Sequence, residues 1–297
     1  MLRLLYPALV IVFCISTAGA DTLKLANGDT LNGEIVEWAV DHVVIEHPQL
    51  GEVRISLEQL DLETGKPPSP GLFGTTFLRG WNRNVDLGWT GRVGSTNTLN
   101  ITAGLNFNYT DEFTRWRLTG RYFLNMSSDA SDDQDNNARI DLRRDWLFPG
   151  HDWFAFAAFR YQFDQYENWR HRTVLSVGPG YNLVHTEAHK LDLRLGPSFT
   201  KEYEGSQASQ GEVLFGVDYD WTISSRSSLR LSNDFYFQYT PRLADFRNLT
   251  TGEWRLGITE EPSLALKIGA SNEYESSPDP GDKANDLRYH VSLGLDF

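Results

Sequence analysis

The stretch "LRYHVSLGLDF", Leu287 to Phe297, alternates strictly and closes on a bare aromatic. Leu287, Tyr289, Val291, Leu293, Leu295 and Phe297 share one face, and Arg288, His290, Ser292, Gly294 and Asp296 share the other. A repeat of two belongs to a β-strand, whose successive side chains point to opposite sides. Chain ends usually run out into polar residues. An apolar face kept to the last position therefore raises the question of which solvent it meets.

The same theme recurs upstream. Val85, Leu87 and Trp89 alternate with Asp86, Gly88 and Thr90, and Leu99 to Tyr109 alternates with Asn100 to Asn108. Trp116, Leu118, Gly120, Tyr122 and Leu124 alternate with Arg117, Thr119 and Arg121. Further strands are expected near 138–148, 153–163, 173–183, 190–200, 212–222, 228–239, 252–259, 263–274 and 286–297, which makes twelve.

The polar faces are unusual for a soluble sheet. Arg117, Arg121, Arg139, Arg143, Arg160, Arg194, Arg230, Arg255 and Arg288 recur with Asp141, Asp145, Asp192, Asp218, Asp220 and Asp234, and Gly and Ser fill many places between. Such a face suits a crowded polar lumen in which opposite charges cancel. The apolar faces carry Tyr109, Trp116, Trp146, Trp153, Tyr181, Phe199, Trp221, Tyr239 and Tyr274 toward strand ends, as the girdles of a membrane barrel do.

Connection lengths point the same way. After a short "GSTNT", tight links ("TDEFT", "PGHD", "VHTEAH", "ISSRS", "TEEP") alternate with longer polar ones ("SSDASDDQDNN", "DQYENWRH", "KEYEGSQASQ", "TPRLADFRNLTTG", "SSPDPGDKAN"). An even strand number with one short-looped rim is the pattern of outer-membrane barrels. Alternation alone would also fit a soluble all-β protein, with the apolar side turned to a core.

The N-terminus sets the compartment. Arg3, the apolar run "LLYPALVIVFC" and Ala18-Gly19-Ala20 read as a signal peptide over residues 1–20, with the mature chain expected to start at Asp21. That segment holds the single cysteine, Cys14, so disulfides, cysteine-built zinc sites and thiol catalysis are excluded from the mature chain. The formal charge of -13 and the lack of any basic run argue against nucleic acid.

Residues 21–62 read as a separate small domain of short strands, "DTLKL", "TLNGEIVEWA", "VVIEH" and "GEVRISLEQL", with a hairpin signal at Asn27-Gly28. Their brevity suggests an SH3-like or Sm-like barrel. Residues 63–80, with Pro67, Pro68, Pro70, Gly65, Gly71 and Gly74, read as a linker. The expected fold is thus all-β: a 12-stranded antiparallel transmembrane β-barrel over residues 81–297, preceded by the small domain on the periplasmic side.

Three segments carry a family resemblance: "LKLANGDTLNGEIVEW…GEVRISLEQL", "SVGPGYNLV…LDLRLGPSFTKEY" and the closing "YHVSLGLDF". Together they resemble the family of domain of unknown function 481, whose members are labelled salt-induced outer membrane proteins. The resemblance implies an outer-membrane barrel with a leader domain. It also implies that Tyr289, Val291, Leu293, Leu295 and Phe297 form the signal read by the barrel-assembly machinery. It carries no active-site residues.

Chemistry is sparse. His290 and Ser292, two apart on a strand, resemble the pair of outer-membrane phospholipases, but the alternation turns them to the lumen and away from lipid. "DASDDQDNN" offers Asp129, Asp133 and Asp135 but lacks the glycine and glutamate of a calcium loop. His185 and His189 lack a third ligand. No metal, cofactor or catalytic residue is expected. The expected partners are outer-membrane lipid, lipopolysaccharide and the assembly machinery. Three functions remain open from sequence: a structural or envelope-stress barrel, a narrow channel for ions or small solutes, and a lipid-acting enzyme. The residues Arg117, Arg121, Arg139, Arg143, Arg194, Arg230, Arg255, Asp141, Asp192 and Asp218 would line either a solute pathway or a salt-bridged plug.

Overall fold

The computed structural model describes residues 21–38, 42–56, 59–60, 77–92, 97–127, 135–204, 209–241, 243, 245–259, 263–278 and 283–297. The expected signal segment, the linker up to residue 76 and most of the acidic stretch at 128–134 lie outside these residues. The chain divides into two compact units, Met1–Pro68 and Ser69–Phe297.

In the first unit, β1 (Asp21–Lys24), β2 (Thr30–Trp38), β3 (His42–His47) and β4 (Gly51–Ser56) form an antiparallel sheet in chain order. The β1–β2 turn forms where expected, because Gly28 takes φ +89° and the Asp29 amide donates to Asn27 Oδ1 at 3.0 Å. Leu23, Ile35, Val43, Ile45, Ile55 and Leu60 make its core.

The second unit is a closed antiparallel barrel of twelve strands. They are β5 (Asn82–Arg92), β6 (Thr98–Thr110), β7 (Thr114–Ser127), β8 (Asp135–Leu147), β9 (Trp153–Asp164) and β10 (His171–His185), then β11 (His189–Glu202), β12 (Ser209–Ser224), β13 (Ser227–Thr240), β14 (Phe246–Gly257), β15 (Ser263–Glu275) and β16 (Asn285–Asp296). Neighbours in sequence pair around the ring, and β16 returns to β5. Connections of two to five residues lie on the rim that carries both barrel ends, and connections of five to nine on the other.

Burial runs opposite to that of a soluble barrel. The outward Leu175 and Leu195 are 55% and 53% exposed, whereas the inward Asp145 and Lys267 are 0% and 1% exposed. Aromatic contacts gather near the two rims. Trp81 stacks on Tyr109 and Trp153 meets Tyr181 edge-on near the short rim, while Phe246 contacts Phe235 and Tyr274 near the long rim. Arg144 points outward between Trp116 and Trp146, 4.9 Å from each ring.

One expected strand needs correction. β14 begins at Phe246, so the connection expected at 240–252 is short and much of it is strand. Its outward residues include Asn248 and Thr250, which break the apolar alternation. They are held on the sheet by Asn233, whose amide donates to both at 3.0 and 2.7 Å.

Candidate functional site: the filled lumen

Strand alternation aims the even-numbered residues of β9–β13 and the odd-numbered residues of β7, β8, β14 and β15 inward, and their long charged side chains meet across the barrel. At the centre lies Asp218 on β12. It accepts from Arg194 Nε at 3.0 Å, is bonded by Arg143, and has Arg117 Nη1 at 3.7 Å. Asp234 is shared by Arg194 Nη2 and Arg160 Nη2, each at 2.8 Å. Arg160 also binds Asp141 and donates to the Tyr236 hydroxyl at 3.0 Å, and Asp141 takes Arg139 Nε at 3.3 Å.

Toward the short rim, Arg115 Nε donates to Asp145 at 2.7 Å and its Nη2 lies 2.9 Å from Asp192. Asp220 joins Arg230 at 2.5 Å and Arg117 at 3.3 Å. Arg255 pairs with Asp296 at that rim. A second cluster sits on the wall of β5, β7, β14 and β15. There Asp86 binds Arg121 at 2.6 Å and Lys267 at 3.0 Å, and Glu253 binds the same two cations at 2.7 and 3.2 Å. Toward the long rim, Arg172 holds Glu202, Glu273 and Glu275 at 2.9, 2.9 and 2.7 Å. Arg247 lies 3.6 Å from Glu212 and 3.5 Å from Glu273.

Asp218, Asp234, Arg194, Arg160, Arg115, Arg172, Asp86 and Glu253 thus each have partners of opposite sign on two or more strands, which offsets the cost of removing them from water. The arrangement ties walls of the barrel to one another and leaves small spaces. One cavity, about 130 Å³, is lined by Arg117, Arg139, Arg160, Asp218, Asp234 and Tyr236 among others. Among the described residues no group of three or more His, Cys, Asp or Glu is placed to hold a metal ion.

All ten residues picked from sequence as lumen-lining point inward, and nine of them fall into the network just described around Asp218, Asp234, Asp220 and Asp86. Arg255 stands apart at the short rim with Asp296. The reading of a polar face throughout missed an apolar plug: Phe154, Phe156, Val174, Leu214 and Tyr236 pack together inside. The signal was "WFAFAAF", which is apolar on both faces. It also missed Arg115, Arg172, Arg247, Lys267, Asp86, Glu212, Glu253 and Glu273, which share the inward parity of their strands. Ser292 is inward and donates to Asp86 Oδ2 at 2.8 Å, so its hydroxyl is engaged by a carboxylate and not by His290.

Residues 85–297 match the family described as "Protein of unknown function, DUF481". The chain belongs to this family. The match spans all of the barrel from Val85 onward and leaves the first sheet outside it. The uncharacterized protein YdiY of Escherichia coli (strain K12) is 22% identical over 226 residues, covering 71% of this chain and 81% of its own. A bacterial polysaccharide outer membrane secretin aligns with a TM-score of 0.36 and 7% identity, over 73% of this chain and 97% of its own. A DUF481 barrel of this sequence is of the outer-membrane type: closed, antiparallel, apolar outside and charged within.

Proposed function

We propose that this DUF481 protein spans the outer membrane of a Gram-negative-type envelope as a non-enzymatic barrel with a structural or envelope-stress role. In this reading the short rim and the small SH3-like domain face the periplasm. Lipid and lipopolysaccharide surround the outer face, and the assembly machinery reads Tyr289, Val291, Leu293, Leu295 and Phe297. The observation that supports it is the run of alternating charges Asp192, Arg115, Asp145, Arg143, Asp218, Arg194, Asp234, Arg160 and Asp141, which crosses the lumen through side-chain contacts. A conducting pore needs a continuous hydrated path, and interlocked arginines occupy that path. An enzyme needs an oriented nucleophile, and Ser292 is bonded to Asp86.

Fractionation and planar-bilayer recording test the reading together. Recovery in the outer membrane, a heat-modifiable band and no conductance steps are expected. Recovery as a soluble protein overturns the membrane assignment, and regular steps from wild-type protein overturn the closed interior in favour of the channel.

A further inference from the structure

The barrel closes unevenly. β5 pairs with β6 along its whole length, from Asn82 to Arg92, and β16 pairs with β15 from Asn285 to Asp296. Between themselves β5 and β16 share a register of only four pairs, Asn84–Leu87 with Leu293–Asp296. Toward the long rim, residues 88–91 of β5 and 289–292 of β16 are strand with no register partner across the seam.

Side-chain exposure marks the same place independently. Among the described strand residues of the barrel, the four most exposed large apolar side chains are Tyr289 at 80%, Trp89 at 66%, Leu287 at 61% and Val291 at 58%. All four flank the unpaired stretch, as expected where a neighbouring strand is missing. The opening is a wedge. At its foot the backbones touch, since a Cβ added at Gly88 would lie 2.2 Å from the Val291 oxygen. The strands can also meet: continuing the register sets Trp89 opposite Val291 and Gly91 opposite Tyr289 outside, and Thr90 opposite His290 inside.

Behind the wedge lies a buried imidazole that makes no hydrogen bond within the protein. The His290 side chain is 7% exposed, packs edge-on against Phe123 and fills the space left by Gly269. Neither ring nitrogen has a hydrogen-bond partner in the protein, and the Glu253 carboxylate is 3.8 Å from Nε2. A buried polar group left so is unfavourable, so a ligand group that bonds to it gains that back.

We propose that the β5–β16 seam beyond Gly88 is a lateral portal from the outer leaflet into the lumen, admitting an acyl-chain amphiphile whose hydroxyl-bearing head docks at His290. The inference rests on the membrane-spanning reading above. Unpaired backbone edges are costly against hydrocarbon, and a polar head lying between them relieves that cost. A strand from another chain needs about 4.7–4.9 Å to each neighbour along its length, which a wedge closed at Gly88 does not provide. An acyl chain tapers with the wedge. The head is a hydroxyl because Asp86 and Glu253 are already matched by Arg121 and Lys267, leaving no excess charge for an ionic group. A hydroxyl both donates and accepts, and so fits an imidazole beside a carboxylate.

The test places a photoreactive benzoylphenylalanine at Thr90 (inward, on the wedge), Gln210 (inward, far wall, same rim) or Leu195 (outward, away from the seam) in the full chain. Cells are illuminated and adducts identified by mass spectrometry. Lipid adducts are expected at Thr90 and Leu195 and not at Gln210. His290→Phe should lower the Thr90 adduct several-fold and leave that at Leu195 unchanged. Oxidising a Gly91→Cys, Tyr289→Cys pair should abolish the Thr90 adduct. In mixed micelles, Thr90 should capture dodecyl maltoside over lauryldimethylamine oxide, which has the same chain length and no hydroxyl. Labelling at Leu195 without Thr90, equal labelling at Gln210, capture of polypeptide at Thr90, or indifference to His290→Phe overturns the portal while leaving the membrane reading intact. Absence of lipid at Leu195 overturns the membrane reading itself.

Discussion

Arg194 Nε donates to Asp218 Oδ2 at 3.0 Å in the middle of the barrel, and both side chains are at most 5% exposed. Arg143 and Arg117 approach the same carboxylate from β8 and β7. One acid is therefore shared by three cations from three strands, and its loss leaves Arg194, Arg143 and Arg117 only Asp234, Asp145 and Asp220 in a low-dielectric interior.

Asp218→Asn is expected to destabilise the folded barrel by about 3–5 kcal/mol, the range for removing one partner of a buried ion pair. Denaturant unfolding in detergent, read by the folded and unfolded bands on unheated gels, measures it. Arg230→Gln gives the contrast. Its pair with Asp220 is 36% and 29% exposed, so it should cost well under half as much.

Phe156 is 2% exposed and packs with Phe154, Val174, Leu214 and Tyr236 inside the barrel. Phe156→Ala should cost about 3–5 kcal/mol by leaving a cavity among groups that cannot collapse onto it. An unchanged unfolding midpoint would show that charges alone hold the interior.

The alternation in "LRYHVSLGLDF" made the outer surface legible, because one apolar outward face needs only a period of two. Ion-pair partners were not legible in the same way. That Arg194 meets Asp218 and Asp234 depends on which strands lie side by side and how the register carries each side chain along its strand. Those are properties of the closed ring. The upper part of β14 was missed because Asn248 and Thr250 face outward, where the pattern calls for apolar residues, and their hydrogen bonds to Asn233 compensate. The seam was hidden for the opposite reason. Val85 to Trp89 and Leu287 to Phe297 both alternate faultlessly, and nothing in that pattern says that only four pairs form.

Gly178 and Gly196 lie opposite each other on β10 and β11, in a gap in the ladder between Ser176 and Gly180 across which the register is unchanged. A Cβ at Gly196 would lie 1.9 Å from the Val177 oxygen, and one at Gly178 would lie 2.1 Å from the Leu195 oxygen. Because the obstacle is backbone, neither site can yield by a rotamer change. Gly196→Ala should markedly reduce the yield of heat-modifiable barrel, while Gly91→Ala, whose nearest neighbour is 3.6 Å away, should leave it unchanged.

The four-pair seam is braced at its foot. Arg83 Nε donates to the Phe297 main-chain oxygen at 3.0 Å, and its guanidinium lies 5.0 Å from the centre of the Phe297 ring, which meets Phe107 edge-on. Arg83→Ala removes a charged hydrogen bond and a cation–π contact together, an expected loss of about 2–4 kcal/mol. Phe297→Ala keeps the hydrogen bond and should lose less. If Arg83 acts by holding β5 against β16, an oxidised Gly91→Cys, Tyr289→Cys lock at the opposite end should recover most of that loss, and reduction should restore it. Equal losses with and without the lock would mean that Arg83 stabilises its own rim independently of the seam. The cycle thus tests whether the short register is the point at which this barrel opens.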